Sequence, residues 1–296
     1  MTTPRSLSLR GIYTALITPF TKDGSVIDKD SLAKLLDVQI SAGVSGVVAC
    51  GSTGEAATLS DKEYAEVVGF VRDRTKGKLP CVAGISVSAT ARAVELGKFA
   101  SEIGCDGVLV ATPPYNKPSQ QGIVEHLKAV KAASGLPVIA YNIPGRSGVA
   151  IHAATLGQLS HEGVILGVKE SSGSVDALAD TMNAVKPDCQ VVSGDDSLLL
   201  AVLAYGGTGA IAAGSNVLPK EFVELCDAFA AGDCKNAKDI QLSLLTRIRS
   251  LFVESNPVPV KAVLALQGVI AHPTVRLPLT PLAPASLERV KKEFSL

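Results

Sequence analysis

Short apolar runs alternate with longer segments of helical period along almost the whole chain. Eight of these runs are rich in Val, Ile and Ala and hardly interrupted by polar residues, which is typical of parallel strands buried on both faces. The predicted strands are Ile12–Ile17, Gly46–Cys50, Cys81–Ile85, Gly107–Ala111, Val138–Tyr141, Ile165–Lys169, Gln190–Ser193 and Ala210–Ala213.

The segments between these runs have the pattern of amphipathic helices. Leu, Val, Ile or Ala recurs every three or four residues, and Lys, Glu and Asp occupy the other face. The clearest examples are Asp30–Ser41, Asp61–Thr75, Thr90–Ile103 and Gln120–Ala133. Ser60, Ser119 and Ser174 stand where N-caps are expected, and Glu63 completes a capping box with Ser60. Glycines near the predicted ends are typical C-terminal stops: Gly43, Gly77, Gly104 and Gly135.

Eight strand–helix units predict an α/β protein with a (β/α)8 TIM barrel, because an open doubly wound sheet usually has fewer strands. We assign residues 1–220 to the barrel and residues 221–296 to a helical C-terminal extension packed as part of the same unit. The helices predicted around and after this boundary are Lys220–Ala231, Asn236–Val253, Pro259–Leu266 and Pro284–Phe294.

Composition narrows the functional classes. The 28 basic and 28 acidic residues give no net charge and are scattered, so no nucleic-acid partner is expected. The run Ile12–Ile17 is too short for a signal or membrane segment, and no other run spans a bilayer without charges. The six cysteines form no C-x-x-C pair and the four histidines lack zinc-site spacing. These patterns predict a soluble cytoplasmic protein with reduced thiols, no metal and no membrane partner.

Candidate chemistry is expected at the carboxyl ends of the strands, where barrel enzymes place their sites. Lys169 ends the sixth predicted strand, and its apolar neighbours favour a neutral amine that can condense with a ketone. Tyr141 ends the preceding strand, where its phenol can relay protons to the same pocket. Taken singly, Lys169 also fits a lysine that snorkels to solvent, and Tyr141 fits a core tyrosine.

Two further segments offer contacts for carboxylates. The turn Ser52–Glu55 precedes a helix and supplies hydroxyls and backbone N–H groups. Arg146 lies in a Gly/Pro-rich loop after the fifth strand, where a guanidinium can bind a carboxylate through two hydrogen bonds. An ordinary capped turn and an exposed loop arginine are the alternative interpretations.

Together these segments resemble the dihydrodipicolinate synthase/N-acetylneuraminate lyase family. The similarity extends from Gly11 to about Pro281 and includes several separate motifs in the same order. These are Gly51–Glu55, Tyr141–Pro144, Val168–Glu170, Ser193–Asp196, Asn256–Lys261 and Arg276–Pro278.

The resemblance implies a pyruvate Schiff base on Lys169. It also implies that Tyr141 relays protons with Thr53 and with Tyr115, the last from a neighbouring subunit of a homotetramer built as a dimer of dimers. By the same resemblance Ser52 and Thr53 hold the pyruvate carboxylate, and the pocket is completed by the backbone of Ile211 and the carbonyl of Gly194. No metal or organic cofactor is expected.

The loop after Tyr141 bears on the second substrate. Arg146 falls where members that use L-aspartate-4-semialdehyde resemble one another, so the expected reaction is a class I aldolase-type condensation that yields 4-hydroxy-tetrahydrodipicolinate. Lysine-sensitive members resemble one another in an Asn and a Glu after the third strand. This chain has Ser88 and Arg92 there, with Tyr64 and Pro114 elsewhere in that cleft, which predicts weak or absent inhibition by lysine.

Three alternatives stay open at this point. The chain can be another pyruvate aldolase of the same family, acting on N-acetylneuraminate or a keto-deoxy sugar acid. The turn Gly206–Gly209 can mark a phosphate site, as in phosphosugar barrels. A catalytically silent member that only binds a keto acid is the third.

Overall fold

The computed structural model describes residues 7–296 and contains a closed barrel of eight parallel strands in sequence order. Each strand pairs with the next along the chain, and the first pairs with the eighth. The predicted (β/α)8 barrel is therefore confirmed. The strands are β1 Gly11–Ala15, β2 Gly46–Ala49, β3 Cys81–Ile85, β4 Gly107–Ala111, β5 Val138–Asn142, β6 Gly167–Glu170, β7 Gln190–Ser193 and β8 Gly209–Ala212.

A layer of helices covers the barrel, and most of its members follow a strand. These are α1 Lys29–Ser41, α2 Asp61–Thr75, α3 Thr90–Glu102, α4 Gln120–Ser134, α5 Pro144–Ser147, α6 Ala153–His161, α7 Val175–Ala184, α8 Leu199–Ala204 and α9 Pro219–Ala230. The C-terminal helices are α10 Cys234–Ser250, α11 Val258–Leu266 and α12 Pro284–Phe294. Because α9 packs against β1 and against α10, helix packing continues across the predicted boundary. The division at residue 220 stays a prediction.

Side chains along each strand point alternately into the barrel and out toward the helices, and this produces two separate apolar regions. Side chains that point outward join the helices in the larger cluster, whereas inward-pointing ones fill the barrel. The inner cluster contains Tyr13, Val48, Val82, Leu109, Ile139, Tyr141, Val192 and Ile211. Tyr141 is thus an inward-facing residue near the open end of the barrel.

The main difference from the predicted bounds concerns β6, expected at Ile165–Lys169 and found at Gly167–Glu170. Ile165 is buried but precedes the paired residues, so an apolar residue in the run need not belong to the strand. Pairing begins at Gly167, where a Cβ atom would lie only 2.2 Å from the carbonyl oxygen of Gln190. At the other end Glu170 pairs with Asn142, which leaves Lys169 inside the sheet.

The predicted helix caps are present. Ser60 and Glu63 form a capping box in which the backbone N–H of each residue donates to the other's side chain, at 2.9 and 3.3 Å. Ser119 and Ser174 accept from backbone N–H groups of α4 and α7. Within residues 7–296, no helix is long and apolar enough to cross a membrane.

Candidate active site

Lys169 and Tyr141 lie side by side at the carboxyl end of the barrel. They are direct partners in the pairing of β5 with β6, and each side chain is about 5% exposed. The Nζ atom of Lys169 stands 4.2 Å from the centroid of the Tyr141 ring. A buried amine next to a phenol is an arrangement suited to imine chemistry with proton relay.

A hydrogen-bond clamp holds the ends of these two strands together. The Nδ2 atom of Asn142 donates to Glu170 Oε2 at 2.8 Å, and the backbone N–H of Ser172 donates to Oε1 at 2.7 Å. The other amide atom of Asn142 accepts from Ile151 N at 2.9 Å. These hydrogen bonds hold the ends of β5 and β6 together, so the neighbouring residues Tyr141 and Lys169 stay directly opposite each other.

The stem of Lys169 is packed against Gly194, the residue after β7. A Cβ atom at position 194 would lie 2.7 Å from Lys169 Cε and 1.9 Å from Ser171 Oγ, so a side chain there would displace the lysine. Ser171 Oγ is buried and has no hydrogen-bond partner within residues 7–296. The sequence patterns predicted no role for Ser171. Nearby, burial raises the pKa of Asp196 to about 6, and its carboxyl accepts from Gly214 N at 2.6 Å.

The turn after β2 carries Thr53 at the carboxyl end of the barrel, and an ion pair fixes this turn. Thr53 and Glu55 are both buried, and Glu55 has a left-handed backbone with φ of 53°. The Glu55 carboxylate forms an ion pair with Lys261 on α11 and accepts from the backbone N–H of Arg276 at 3.0 Å. The C-terminal part of the chain therefore fixes the turn that carries Thr53.

Lys261 is one of the most enclosed charged groups of the described residues, with 0% exposure. Burial lowers its pKa to about 8, and the opposing attraction of Glu55 limits that shift. Its Nζ atom donates to Thr274 O at 2.8 Å and stands 4.1 Å from the centroid of the Phe20 ring. This side chain is a structural support beneath the site rather than a reacting group, because it contacts none of the side chains around Lys169 that are described above.

Asn256, just before α11, connects two predicted site residues. Its Nδ2 atom donates to Thr53 Oγ1 at 2.8 Å, and its backbone carbonyl accepts from Arg146 Nη2 at 3.1 Å. The sequence motif Asn256–Lys261 indicated the family but gave Asn256 no role. In the sequence, Asn256 is only a polar residue between two apolar segments. That pattern is too common to predict contacts with Thr53 and Arg146.

A cavity of about 290 Å³ opens beside these residues. Its lining combines the β2 turn, the loop after β4, the Arg146 loop and the segment around Pro278, with Ser52, Thr112, Ser147 and Asn256 among the polar groups. Arg146 lines it while remaining exposed, so its guanidinium is accessible to an anion. Ser52 and Arg146 thus line one cavity. Their roles as carboxylate contacts stay predictions.

The remaining predicted residues divide into buried and exposed. Ile211 is fully buried in β8 within the inner cluster that contains Tyr141. Tyr115 is 91% exposed, with φ of 71°, on the loop after β4, so it does not join the site of its own chain. Among residues 7–296, no group of three or more His, Cys, Asp or Glu side chains is placed to hold a metal ion.

The phosphate-site alternative does not fit the geometry. The turn Gly206–Gly209 leads into β8, so it lies at the amino end of the barrel, opposite Lys169. A Cβ atom on Gly207 would be 2.8 Å from two backbone carbonyls, and one on Gly209 would be 1.9 Å from Gly11 O. These glycines allow close packing of the backbone.

The closed barrel with a buried lysine and tyrosine at its carboxyl end defines an imine-forming barrel enzyme. The chain belongs to the dihydrodipicolinate synthetase family, whose model matches residues 8–295. The family predicted from the motifs is therefore confirmed over nearly the whole chain.

Curated and solved relatives agree with this assignment. A 4-hydroxy-tetrahydrodipicolinate synthase of Endomicrobium trichonymphae is 42% identical over 290 residues, which cover 97% of this chain and 98% of that protein. A dihydrodipicolinate synthase of Acinetobacter baumannii, solved as a complex with pyruvate, is 37% identical with a TM-score of 0.94, covering 97% and 98% of the two chains. A structure described as a monomeric dihydrodipicolinate synthase variant is 34% identical with a TM-score of 0.94, covering 97% and 96%.

Proposed function

We propose that this chain condenses pyruvate with L-aspartate-4-semialdehyde to give 4-hydroxy-tetrahydrodipicolinate, the reaction of lysine and diaminopimelate biosynthesis. The observation that carries the proposal is the buried Lys169 amine lying against the Tyr141 ring at the carboxyl end of the barrel. The names of the curated relatives and the pyruvate complex of the Acinetobacter protein support the same reaction.

The chemistry begins on pyruvate. Lys169 Nζ attacks the keto carbon, and loss of water from the carbinolamine gives an iminium ion whose nitrogen attracts electrons. Loss of a proton from the methyl group then yields an enamine. Because the enamine carbon is the nucleophile of the next step, Lys169 has to stay covalently attached until the ring closes.

The second half joins the two substrates. The enamine carbon attacks the aldehyde carbon of the semialdehyde, and the aldehyde oxygen takes a proton to become the hydroxyl group of the product. The amino group of the condensed chain then attacks the imine carbon, and Lys169 Nζ leaves as the ring forms. Each step moves a proton, which is the role we assign to Tyr141 and Thr53, with Tyr115 contributed by a second copy of the chain.

We assign the binding roles from the family resemblance. Ser52 and Thr53 receive the pyruvate carboxylate, Gly194 offers its carbonyl, and Ile211 forms part of the wall; of these residues, Ser52 lines the described cavity. Arg146 receives the carboxylate of the semialdehyde, since its guanidinium is exposed at the same cavity. The sugar aldehydes that sialic-acid and keto-deoxy sugar acid aldolases join to pyruvate lack an α-amino-acid carboxylate, so Arg146 favours the semialdehyde over them.

The test compares three variants in turnover of pyruvate plus L-aspartate-4-semialdehyde, followed by NADPH oxidation through a coupled reductase. Lys169→Ala should abolish turnover and the borohydride-trapped pyruvate adduct. Arg146→Ala should raise the KM for semialdehyde roughly 10- to 100-fold while adduct formation persists, because it removes a charge-assisted contact to one substrate only. Arg74→Ala is the matched control, since Arg74 pairs with Asp37 on the surface.

Any of three results would contradict parts of the proposal. Equal losses for both substrates in Arg146→Ala would remove that residue from semialdehyde recognition. A wild-type protein that forms the adduct but turns over only sugar aldehydes would be another aldolase of the family. A chain that binds pyruvate without forming an adduct would be a non-catalytic member.

We also propose a cytoplasmic homotetramer made of two dimers. Tyr115 is 91% exposed, and tyrosine is enriched where protein chains meet, which supports association. The structure described as a monomeric variant concerns a relative, so the assembly of this chain needs its own measurement.

A further inference from the structure

Asn256 stands between the two halves of the candidate site. It is 7% exposed, and its side chain donates to Thr53 while its backbone carbonyl accepts from Arg146. Thr53 belongs to the pyruvate side and Arg146 to the semialdehyde side. A single residue before α11 therefore contacts both, through different atoms.

The side-chain contact determines how the Thr53 hydroxyl is used. A threonine hydroxyl carries one proton and can also accept. Because Oγ1 accepts from Asn256 Nδ2 at 2.8 Å, the Thr53 proton is left to be donated elsewhere. The reverse amide orientation would consume that proton and bury the two N–H donors of Nδ2.

The unpaired amide oxygen of Asn256 agrees with this orientation of the side chain. Asn256 Oδ1 is buried and has no hydrogen-bond partner within residues 7–296. A buried acceptor without a partner occurs more often in native structures than a buried donor without one. The arrangement with Nδ2 on Thr53 is therefore the less costly of the two.

We propose that Asn256 is a positioning residue that makes Thr53 a hydrogen-bond donor toward the pyruvate side of the site. The proposal rests on the proposed function. A donor at Thr53 suits an anionic carboxylate and a phenol oxygen, both of which accept hydrogen bonds. The contact with Arg146 uses the backbone, so substitutions of Asn256 separate the pyruvate side from the Arg146 side.

The decisive variant is Asn256→Asp, which keeps the shape of the side chain. At neutral pH its carboxylate only accepts, so the Thr53 proton turns toward it and a negative charge stands near the keto acid. Borohydride trapping of pyruvate on Lys169 should slow by roughly 10- to 100-fold relative to the wild type. The KM for semialdehyde should change little. As the pH falls, the carboxyl group gains a proton that it can donate, and the difference from the wild type should shrink.

Two further variants separate positioning from general support. Asn256→Ala removes the donor without adding charge, so trapping should slow with no recovery at low pH; this variant also serves if Asn256→Asp does not fold. In a Thr53→Val background, Asn256→Ala should cause no additional loss, because its effect acts through Thr53 and adds no charge. Equal, pH-independent losses toward both substrates, or a full loss in the Thr53→Val background, would overturn the proposal.

Failure of the proposed function would give a different pattern. Trapping uses pyruvate alone, so it reports on Asn256 even if the second substrate is not L-aspartate-4-semialdehyde. Wild-type protein that is trapped normally but does not turn over the semialdehyde would contradict the function and leave the role of Asn256 measurable.

Discussion

At the scale of single residues, Arg92 lies in the cleft where lysine-sensitive relatives are expected to bind lysine, and it is paired with side chains of its own chain. Its guanidinium pairs with Asp61 and with Glu95, the latter at 2.7 Å, while Ser88 Oγ donates to Pro114 O at 3.0 Å. A lysine molecule in this cleft would contact the cation of Arg92 and the Ser88 hydroxyl, which already donates to Pro114. Lysine-sensitive relatives are expected to have a carboxylate and an amide at these two positions. We therefore propose that lysine inhibits this chain weakly or not at all.

The measurement is turnover at millimolar L-lysine, with D-lysine at the same concentration as the control for ionic strength. Turnover should be nearly the same with both. Strong inhibition by the L-isomer alone would contradict the proposal.

Contacts between site residues were predictable from the sequence where neighbouring strands bring them together, and unpredictable where they join residues far apart along the chain. Lys169 and Tyr141 are each the second-last residue of consecutive strands, and parallel neighbours pair, so their contact followed from the strand order. Asn256 reaches Thr53 from 203 positions along the chain, and no local pattern specifies such a contact. The register of α11 against the β2 turn depends on packing of the whole barrel.

At the scale of elements, the pair α3–α4 contains a buried histidine. His126 on α4 is 2% exposed, and its Nδ1 atom lies 3.0 Å from Thr90 Oγ1 on α3. Burial lowers the pKa of His126 to about 4, below its unfolded value of roughly 6.5. In the unfolded chain the ring takes up a proton near pH 6.5, whereas in the folded chain it does so only near pH 4. The contribution to stability is therefore full above pH 6.5 and is lost as the pH falls toward 4.

Replacing His126 should reduce this acid sensitivity. The free energy of unfolding of the wild type should fall by about 3 kcal/mol more than that of His126→Gln between pH 7 and pH 4. Chemical denaturation at a series of pH values measures the difference, and His161→Gln, at an exposed histidine of α6, is the matched control. Parallel curves for the wild type and His126→Gln would mean that the α3–α4 pair admits a charged ring at little cost.

Element boundaries were predicted to within a few residues, and the errors have a common cause. The first strand was expected to reach Ile17 and ends at Ala15, although Leu16 and Ile17 are buried. Burial and strand pairing both produce apolar runs, so an apolar pattern overestimates the paired segment. The short helix α5 was not predicted, because four residues are too few to show a helical period.

At the scale of the whole molecule, the barrel was predictable because closure depends on the number of strand–helix units, and each unit carries its own signal. The packing of α9 against β1 was not predictable, because it joins distant parts of the chain. The assembly is a third case, because the role expected of Tyr115 requires a second copy of the chain and stays a prediction. Tyr115 is 91% exposed and has a left-handed backbone.

If Tyr115 serves a neighbouring site, two inactive variants should restore each other. Tyr115→Phe removes the relay hydroxyl and should lower kcat by about 100-fold while native mass stays unchanged. Lys169→Ala lacks the amine. When the two proteins are mixed and allowed to exchange subunits, a Tyr115→Phe chain provides Lys169 and its Lys169→Ala neighbour provides Tyr115, so one intact site forms in each hybrid pair. Activity should therefore rise well above the sum of the separate variants, and it should rise only under conditions where native mass spectrometry detects hybrids. Hybrids without recovered activity would place the working hydroxyl within the chain that carries Lys169, and a protein that stays monomeric at full activity would lead to the same conclusion.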